Sequence, residues 1–322
     1  MQISKNELMT EAAATGFQPV MLEKVWLLIK VLDRINEHPF LRDRLVLKGG
    51  TALNLFIFEL PRLSIDIDLN YVGALDKETT NQERPQVEKG LESIFQSENL
   101  SIHRMPNKHA GGKWLLKYVS AMGGNGNLAV DVNFMFRAPL TQVMKKRSWL
   151  IGKRQTQEVA LLDKYELGAG KLSALFGRHA SRDLFDAYEL LTMPSLDFER
   201  LRLYSMIYGA MGERDWRLIS IDDINFDKKE LQQELLPVLP RGVSEKTQNW
   251  LSWTNSMLSG CRNALQALLP LRENEKEFFQ RLHDWGEVQP SLLTQDAALI
   301  EIIHSHPLLK WKAQLALQNK KG

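Results

Sequence analysis

Two segments decide the fold of this chain: residues 45–51, Leu-Val-Leu-Lys-Gly-Gly-Thr, and residues 65–71, Ile-Asp-Ile-Asp-Leu-Asn-Tyr. The aliphatic run that ends at Lys48 predicts a short buried strand, because buried strands lack polar alternation. Gly49 and Gly50 allow a sharp turn, after which the composition predicts the start of a helix. The first segment therefore predicts a strand, a turn and a helix in close succession.

The predicted turn has the properties of a phosphate-binding site. Unpaired backbone amides and the positive end of a helix dipole attract anions, and glycines let the backbone come close to them. The Thr51 hydroxyl is predicted to add one hydrogen bond to the phosphate. A strand, a glycine and a helix are also a common structural connection, so the turn alone does not establish a function.

The second segment alternates strictly between apolar and polar residues. Its polar members, Asp66, Asp68 and Asn70, share one face of a half-buried strand. Two carboxylates at this spacing repel each other unless a cation, hydrogen-bond donors or bulk water compensates them. Mg²⁺ suits such a site, because it takes one or two protein carboxylates together with substrate phosphates. The alternative is a solvated strand face without a metal.

A third aspartate is predicted on a neighbouring strand. After a glycine-rich hairpin turn at residues 123–126, residues 128–136 alternate, and Asp131 falls on the less apolar side. If this strand lies beside the strand of Asp66, three carboxylates converge, and such a set holds two metal ions about 3.5–4 Å apart. One metal would activate the attacking hydroxyl and the other would hold a triphosphate. The alternative is a lone aspartate in a mixed strand.

These residues carry a resemblance to a known family. The first motif consists of Gly49, Gly50, Thr51, Arg62, Ser64, Asp66 and Asp68. The second consists of a helical lysine, Lys171, followed by Arg182-Asp183-Leu184-Phe185-Asp186. Together the two motifs resemble the AbiEii/AbiGii toxin family, within the DNA polymerase β-like nucleotidyltransferase superfamily.

The resemblance implies an α+β fold with a polymerase β-like core, in which helices flank a small mixed sheet. Strand signals nearly vanish after about residue 195, which predicts a mostly helical C-terminal domain. We expect the nucleotidyltransferase core and its N-terminal helices in residues 1–155. Residues 156–322 are expected to form a helical domain that carries Lys171 and Asp183 and continues into a helical extension.

The same resemblance implies roles for individual residues. Asp66 and Asp68 would bind Mg²⁺ or Mn²⁺ with Asp131 as the third ligand, Lys171 would contact the triphosphate, and Asp183 would be an active-site acid. The residues that we assign to nucleotide binding are Lys48, Gly49, Gly50, Thr51, Arg62, Ser64 and Lys171. Without the resemblance, Lys171 is a solvated lysine on an amphipathic helix and Asp183 stabilises a helix start.

One short window of the sequence is rich in basic residues, although the formal net charge is only +2. Its members are Arg137, Lys145, Lys146, Arg147, Trp149, Lys153 and Arg154. We predict that Lys145, Lys146 and Arg147 contact RNA phosphates, with the tryptophan available to stack on a base. The alternative is a solvated basic loop. The resemblance favours RNA, because relatives of the family are similar to enzymes that add nucleotides to the acceptor end of tRNA.

The resemblance therefore implies the toxin of a toxin–antitoxin pair, of the abortive-infection type that acts in phage defence. It would use a divalent metal to transfer a nucleoside monophosphate from a nucleoside triphosphate to RNA, at the acceptor end of tRNA. An AbiEi-like antitoxin encoded nearby is the expected partner. The alternatives are a small-molecule acceptor, as in antibiotic modification, a protein hydroxyl, or a non-catalytic protein that binds RNA or a partner.

Composition agrees with an enzyme that does not enter a membrane. The 322 residues are 44% hydrophobic, enough to bury a sizeable core. No apolar stretch approaches the length of about 18 residues that spans a bilayer, and the N-terminus lacks a signal-peptide pattern. We expect a cytoplasmic protein whose single cysteine, Cys261, forms no internal disulfide.

Overall fold

The computed structural model describes residues 3–106, 111–246 and 250–319. The chain divides into two compact units, each assembled from separate stretches of sequence. The first, here called the sheet unit, consists of Met1–Arg137, Val143–Leu162 and Gln232–Gln248. The second, here called the helical unit, consists of Ala138–Gln142, Asp163–Leu231 and Asn249–Gly322.

Strands and helices follow one another in an irregular order along the chain. The strands are β1 (Leu45–Lys48), β2 (Asp66–Tyr71), β3 (Ser101–Arg104), β4 (Gly111–Val119), β5 (Asn125–Asn133), β6 (Met144–Lys146) and β7 (Val159–Leu161). The helices are α1 (Lys5–Thr15), α2 (Pro19–Glu37), α3 (Gly49–Ala52), α4 (Lys77–Ser97), α5 (Lys164–Gly177), α6 (Ser181–Leu191), α7 (Phe198–Met211), α8 (Lys228–Glu230), α9 (Arg241–Lys246), α10 (Trp250–Leu265), α11 (Glu273–Gln280), α12 (Ala297–Ser305) and α13 (Pro307–Asn319). A π-helical turn, Leu53–Ile57, continues α3.

The strands form one mixed sheet in the order β3-β4-β5-β2-β1-β7-β6. β2 runs parallel to β5 and β1 runs parallel to β7, while the other neighbours are antiparallel. The predicted α+β class, with a mixed sheet flanked by helices, is confirmed. No helix in the described stretches is both long and apolar enough to cross a bilayer.

The two faces of the sheet differ in polarity because successive side chains on a strand point to opposite sides. Ile67 and Leu69 of β2 are buried, as are Val130 and Val132 of β5, and α2 contacts the sheet through β5 and β7. The other face of β2 and β5 carries aspartates that are only partly buried. We call this second side the polar face.

The hairpin between β4 and β5 turns earlier than predicted. Gly123 and Gly124 adopt φ values of 98° and 75°, and Asn125 already pairs with Val119. The strand also ends earlier than the predicted residue 136, because the Asn133 side chain accepts hydrogen bonds from the two amides that follow residue 134. Asp131 nevertheless lies within β5, as predicted.

The observed units do not follow the single boundary that we predicted after residue 155. β7 pairs with β1, so the sheet unit extends to residue 162. A later stretch also returns to it, because the Leu63 amide donates to the Val238 carbonyl and the Arg241 amide to the Gly16 carbonyl. Sequence periodicity predicts helices and strands from neighbouring residues. It does not reveal that a distant segment of the chain packs against the sheet unit.

Candidate active site

Two aspartates lie side by side on the polar face. The parallel pairing of β2 with β5 sets Asp68 directly opposite Asp131, and the pairing of β1 with β2 sets Lys48 opposite Asp68. Asp66 lies two residues before Asp68, on the same face of β2. Adjacent strands are about 4.8 Å apart, so the carboxylates of Asp68 and Asp131 are close enough to share one cation.

The glycine turn packs directly against this pair. Gly49 has a φ of 72°, in the left-handed region, and a Cβ built on it would lie 2.5 Å from Asp68 Oδ2. Only glycine fits here, because any side chain would displace the carboxylate. The turn and the aspartates therefore form one site.

Thr51 connects the turn to the start of β2 through hydrogen bonds. Its side chain is fully buried, and its hydroxyl donates to the Asp66 carbonyl at 2.5 Å and lies 2.9 Å from the Ser64 hydroxyl. This arrangement differs from the predicted hydrogen bond between Thr51 and a phosphate, because the hydroxyl is directed into the protein. Thr51 and Ser64 position the backbone that carries Asp66.

The remaining residues assigned to nucleotide binding differ in their exposure. Arg62 is buried and donates to the Leu63 carbonyl at 2.8 Å, so its guanidinium is held by the protein. The Gly50 carbonyl accepts from Asn54 Nδ2 at 3.0 Å, which continues the helical turn. Lys48 is half-buried at the end of β1. Of these residues, Lys48 has the free charge that a phosphate contact requires.

The carboxylates provide the ligands for a metal without forming a closed cage. Among the described residues, no group of three Asp, Glu, His or Cys side chains converges on a common metal position. The strand register aligns Asp68 with Asp131, while Asp66 lies two residues before Asp68 along β2. Mg²⁺ needs only one or two protein carboxylates when substrate phosphates complete its octahedron, so the available oxygens fit that ion.

The second sequence motif forms a buried ion cluster in the helical unit. Lys171 Nζ of α5 lies 2.7 Å from Asp183 Oδ1 and 2.9 Å from Asp186 Oδ2, both on α6. Arg178 Nε donates to Asp183 Oδ2 at 2.6 Å. Burial opposes ionisation of Asp183, but Lys171 and Arg178 outweigh it and lower the pKa of its carboxyl to about 2. Lys171 is only 8% exposed, so it is not a solvated lysine.

Comparison with known proteins places these features in a family. The family model for the nucleotidyl transferase AbiEii toxin, of type IV toxin–antitoxin systems, matches residues 30–268. The chain belongs to this family. The match includes the glycine turn, the three aspartates and the ion cluster.

A solved structure shares the fold of this AbiEii-family chain. The nucleotidyltransferase toxin MenT4 from Mycobacterium tuberculosis H37Rv superposes with a TM-score of 0.61, over 99% of each chain. The two sequences are 14% identical, so the likeness shows a common fold and no more. A search of curated proteins gave no match.

Two acidic residues of the helical unit of this AbiEii-family protein were assigned no role from the sequence, although Asp186 belongs to the second motif. Asp186 follows Asp183 by three residues, and this spacing on a helix could have indicated a shared face. Glu166 is 1% exposed, and burial raises the pKa of its carboxyl. It accepts hydrogen bonds from the Leu140 amide, the Thr141 amide and hydroxyl, and the Tyr208 hydroxyl. These partners lie 25 or more residues away in the chain, so the local sequence around Glu166 does not reveal them.

The basic window of the AbiEii-family chain separates into two groups. Arg137 is buried and donates to backbone carbonyls, while Lys153 and Arg154 pair with glutamates of α1. These three cations are therefore engaged by other parts of the protein. The exposed group consists of Lys145, Lys146 and Arg147, followed by Trp149 with 42% of its surface exposed.

Proposed function

We propose that this AbiEii-family protein transfers a nucleoside monophosphate from a nucleoside triphosphate to an RNA hydroxyl, at the acceptor end of tRNA. The observation that carries the proposal is the pairing of Asp68 with Asp131 beside the Gly49 turn. Two adjacent carboxylates and an adjoining turn without side chains suit a metal-bound triphosphate. The family name supports nucleotidyl transfer and leaves the acceptor open.

In the proposed reaction the acceptor oxygen attacks the α-phosphorus, and the bond to pyrophosphate breaks. The products are the nucleotidylated RNA and pyrophosphate. Asp66 and Asp68 would hold a divalent metal, and Asp131 would accept a hydrogen bond from the attacking hydroxyl and take its proton as the new P–O bond forms. The metal, when bound, neutralises charge on the phosphates. The turn at Gly49 and Gly50 adjoins the Asp68 carboxylate, and Lys48 adds a positive charge beside it.

Asp68→Asn and Asp131→Asn test the proposal, because each keeps the shape of the side chain and removes its charge. The purified proteins are incubated with tRNA, Mg²⁺ and each α-labelled triphosphate in turn. We expect transfer to fall by about 100-fold or more, as when a group that stabilises the transition state is lost. Asp222→Asn, at an exposed aspartate of the helical unit, is the matched control. No transfer by wild type to any RNA pool, or full activity in Asp68→Asn, contradicts the proposal.

For the RNA contact we propose Lys145, Lys146 and Arg147. They are exposed on and after edge strand β6, and Trp149 follows them, so cations and an aromatic ring occur together. Lysines on an edge strand also prevent edge-to-edge pairing, which is the competing explanation. Replacing all three residues with Glu distinguishes the two explanations. If they contact RNA, the variant should remain a folded monomer but transfer nucleotide to RNA less efficiently.

The charge reversal also identifies the acceptor class. Its control is reversal of Lys228 and Lys229, two exposed charges of α8. If the triple variant transferred nucleotide normally while Asp68→Asn did not, the acceptor would be a small molecule or a protein hydroxyl. Calorimetric titration with Mg²⁺ and triphosphate tests the non-catalytic alternative, because a degenerate site binds neither.

For Lys171 and Asp183 we keep the predicted roles, triphosphate contact and active-site acid, as proposals. The ion cluster supports them in one respect, because it holds both side chains in fixed positions. It also shows that Lys171 is shared between two carboxylates, so a phosphate contact would compete with Asp183 and Asp186. Triphosphate affinity of folded Lys171→Arg and Lys171→Met, compared with wild type, tests the contact.

The proposed protein partner is a cognate antitoxin. Membership of a type IV toxin–antitoxin family implies such a partner, and we propose an AbiEi-like protein encoded beside this gene. The test is growth of cells that express this protein with and without the neighbouring reading frame. Growth arrest that the neighbour relieves supports the pair, and arrest that it does not relieve contradicts it.

A further inference from the structure

Lys113 of β4 is the neighbour of Asp131 on the side away from Asp68. The antiparallel pairing of β4 with β5 sets Lys113 directly opposite Asp131. Residues paired in this way point to the same face of a sheet. The polar face therefore carries one row across four strands, in the order Lys48, Asp68, Asp131, Lys113.

The lysines at the two ends of this row are not paired with any group in the part of the chain that the structure describes. Within the described residues, the side chains of Lys48, Lys113 and Asp131 make no hydrogen bond or ion pair with the protein. Lys30 and Lys171, by contrast, form ion pairs with buried carboxylates. A lysine placed opposite a carboxylate and not paired with it is available to a ligand.

The position of Lys113 distinguishes it from Lys48. Lys48 adjoins the glycine turn, where the triphosphate is proposed to bind, whereas Lys113 lies three strands away, or about 14 Å by strand spacing. A lysine side chain reaches about 6 Å, so the ammonium of Lys113 covers the space above Asp131 and not the turn. Lys113 is also exposed, as a contact with a large acceptor requires.

We propose that Lys113 binds the acceptor strand, through an ion pair between its ammonium and the phosphate next to the attacking hydroxyl. This inference rests on the proposed transfer to RNA, in which Asp131 faces that hydroxyl. A cation beside Asp131 would hold the RNA end in place and offset the repulsion between the phosphate and the carboxylates. Lys113 would thus set the affinity for the acceptor and not for the triphosphate.

Lys113→Ala, Lys113→Arg and Lys117→Ala form the test series. Lys117 lies on the same strand and face, four residues further along, so its variant removes the same charge away from Asp131. Transfer kinetics with tRNA give KM for RNA and for triphosphate separately. Fluorescence anisotropy of labelled tRNA, measured without triphosphate over a range of salt concentrations, gives the number of phosphate contacts.

We expect Lys113→Ala to raise KM for RNA about tenfold and leave KM for triphosphate unchanged, with the slope of log affinity against log salt reduced by about 0.7. Lys113→Arg should restore most of the affinity, and Lys117→Ala should resemble wild type. An unchanged salt slope, or an effect on triphosphate KM alone, overturns the inference while transfer by wild type still supports the proposed function. Wild-type protein that neither binds nor modifies RNA overturns both.

Discussion

At the scale of single residues, Gly49 joins the turn to the carboxylates. Its φ of 72° excludes most other residues, and the missing Cβ leaves the space that the Asp68 carboxylate occupies. Gly124, in the hairpin turn, has a similar φ of 75° but no atom within 4 Å of its Cβ position. Comparing substitutions at the two glycines therefore distinguishes the cost of backbone strain from the cost of displacing the Asp68 carboxylate.

Alanine at each of these two positions gives the first prediction. Gly124→Ala should lower the free energy of unfolding by about 1–2 kcal/mol, the cost of a left-handed alanine, without affecting transfer. Gly49→Ala should lower the free energy of unfolding further. It should also reduce kcat about 100-fold, because an Asp68 carboxylate displaced by about 1 Å no longer aligns the reactants. Urea unfolding and label transfer measure the two effects. Equal activities of the two variants would refute a role for this contact.

Lys171 gives a second prediction, on stability. Replacing it with Met would leave Asp183 and Asp186 buried beside each other without their shared cation. Removing one partner of a buried ion pair costs about 3–5 kcal/mol, and we expect a loss of this size in urea unfolding. Lys229→Ala, at an exposed lysine of the same unit, should stay within about 0.5 kcal/mol of wild type. Similar stabilities of the two variants would show that the cluster is not stabilising.

At the scale of elements, α5 contains two interior glycines with different surroundings. A Cβ on Gly168 would lie 2.7 Å from Leu190 Cδ2 and 3.0 Å from Leu201 Cδ1. A Cβ on Gly170 would meet the Tyr208 ring at 3.5 Å, an ordinary contact. Only Gly168 is therefore needed for close packing of α5 on its neighbours.

These surroundings predict that two alanine substitutions in the same helix have opposite effects on stability. Gly170→Ala should raise the free energy of unfolding by up to about 1 kcal/mol, the difference in helix propensity. Gly168→Ala should lower the free energy of unfolding by about 1–3 kcal/mol, because overpacking against Leu190 and Leu201 outweighs the gain in helix propensity. Thermal and urea unfolding of both variants provide the measurement. Stabilisation by both would mean that Leu190 and Leu201 move aside easily.

The secondary-structure elements also show how much of the fold could be predicted from the sequence. Strict alternation in residues 65–71 predicted β2 and the face of its aspartates, because period-two burial is a local property. The neighbour of β2 could only be supposed, and the pairing of Lys113 with Asp131 was not foreseen, since register depends on residues far apart in the chain. The contacts of the Thr51 hydroxyl with Ser64 and the Asp66 carbonyl were not foreseen either, as these partners belong to another segment.

At the scale of the whole molecule, the two units are stabilised differently. The sheet unit buries the apolar face of its strands under α2. The helical unit contains ion pairs in which both partners are buried, of which Lys171 with Asp183 is one and Arg202 with Glu275 another, whereas the buried Glu98 of the sheet unit pairs with partly exposed cations. Buried ion pairs depend on both partners remaining charged, so the helical unit should be the more sensitive to acid.

Asp183 determines the pH range of this sensitivity. Its pKa is lowered from 3.8 to about 2, so its ionised form stabilises the folded state above about pH 4. That stability, on the order of 2 kcal/mol, is lost as the pH falls through about 2, when protonation leaves Lys171 without this partner. Unfolding followed by circular dichroism between pH 5 and pH 2 should show the loss.

Two variants identify the group responsible. Asp183→Asn removes the titrating carboxyl, so its stability should depend less on pH in this range. Arg178→Gln removes a partner that is 68% exposed, and should leave the fold intact while raising the pKa of Asp183. Acid unfolding of Arg178→Gln should therefore begin at a higher pH than in wild type. If both variants followed the wild-type curve, the acid sensitivity would come from other carboxylates, and the Lys171 cluster would not control it.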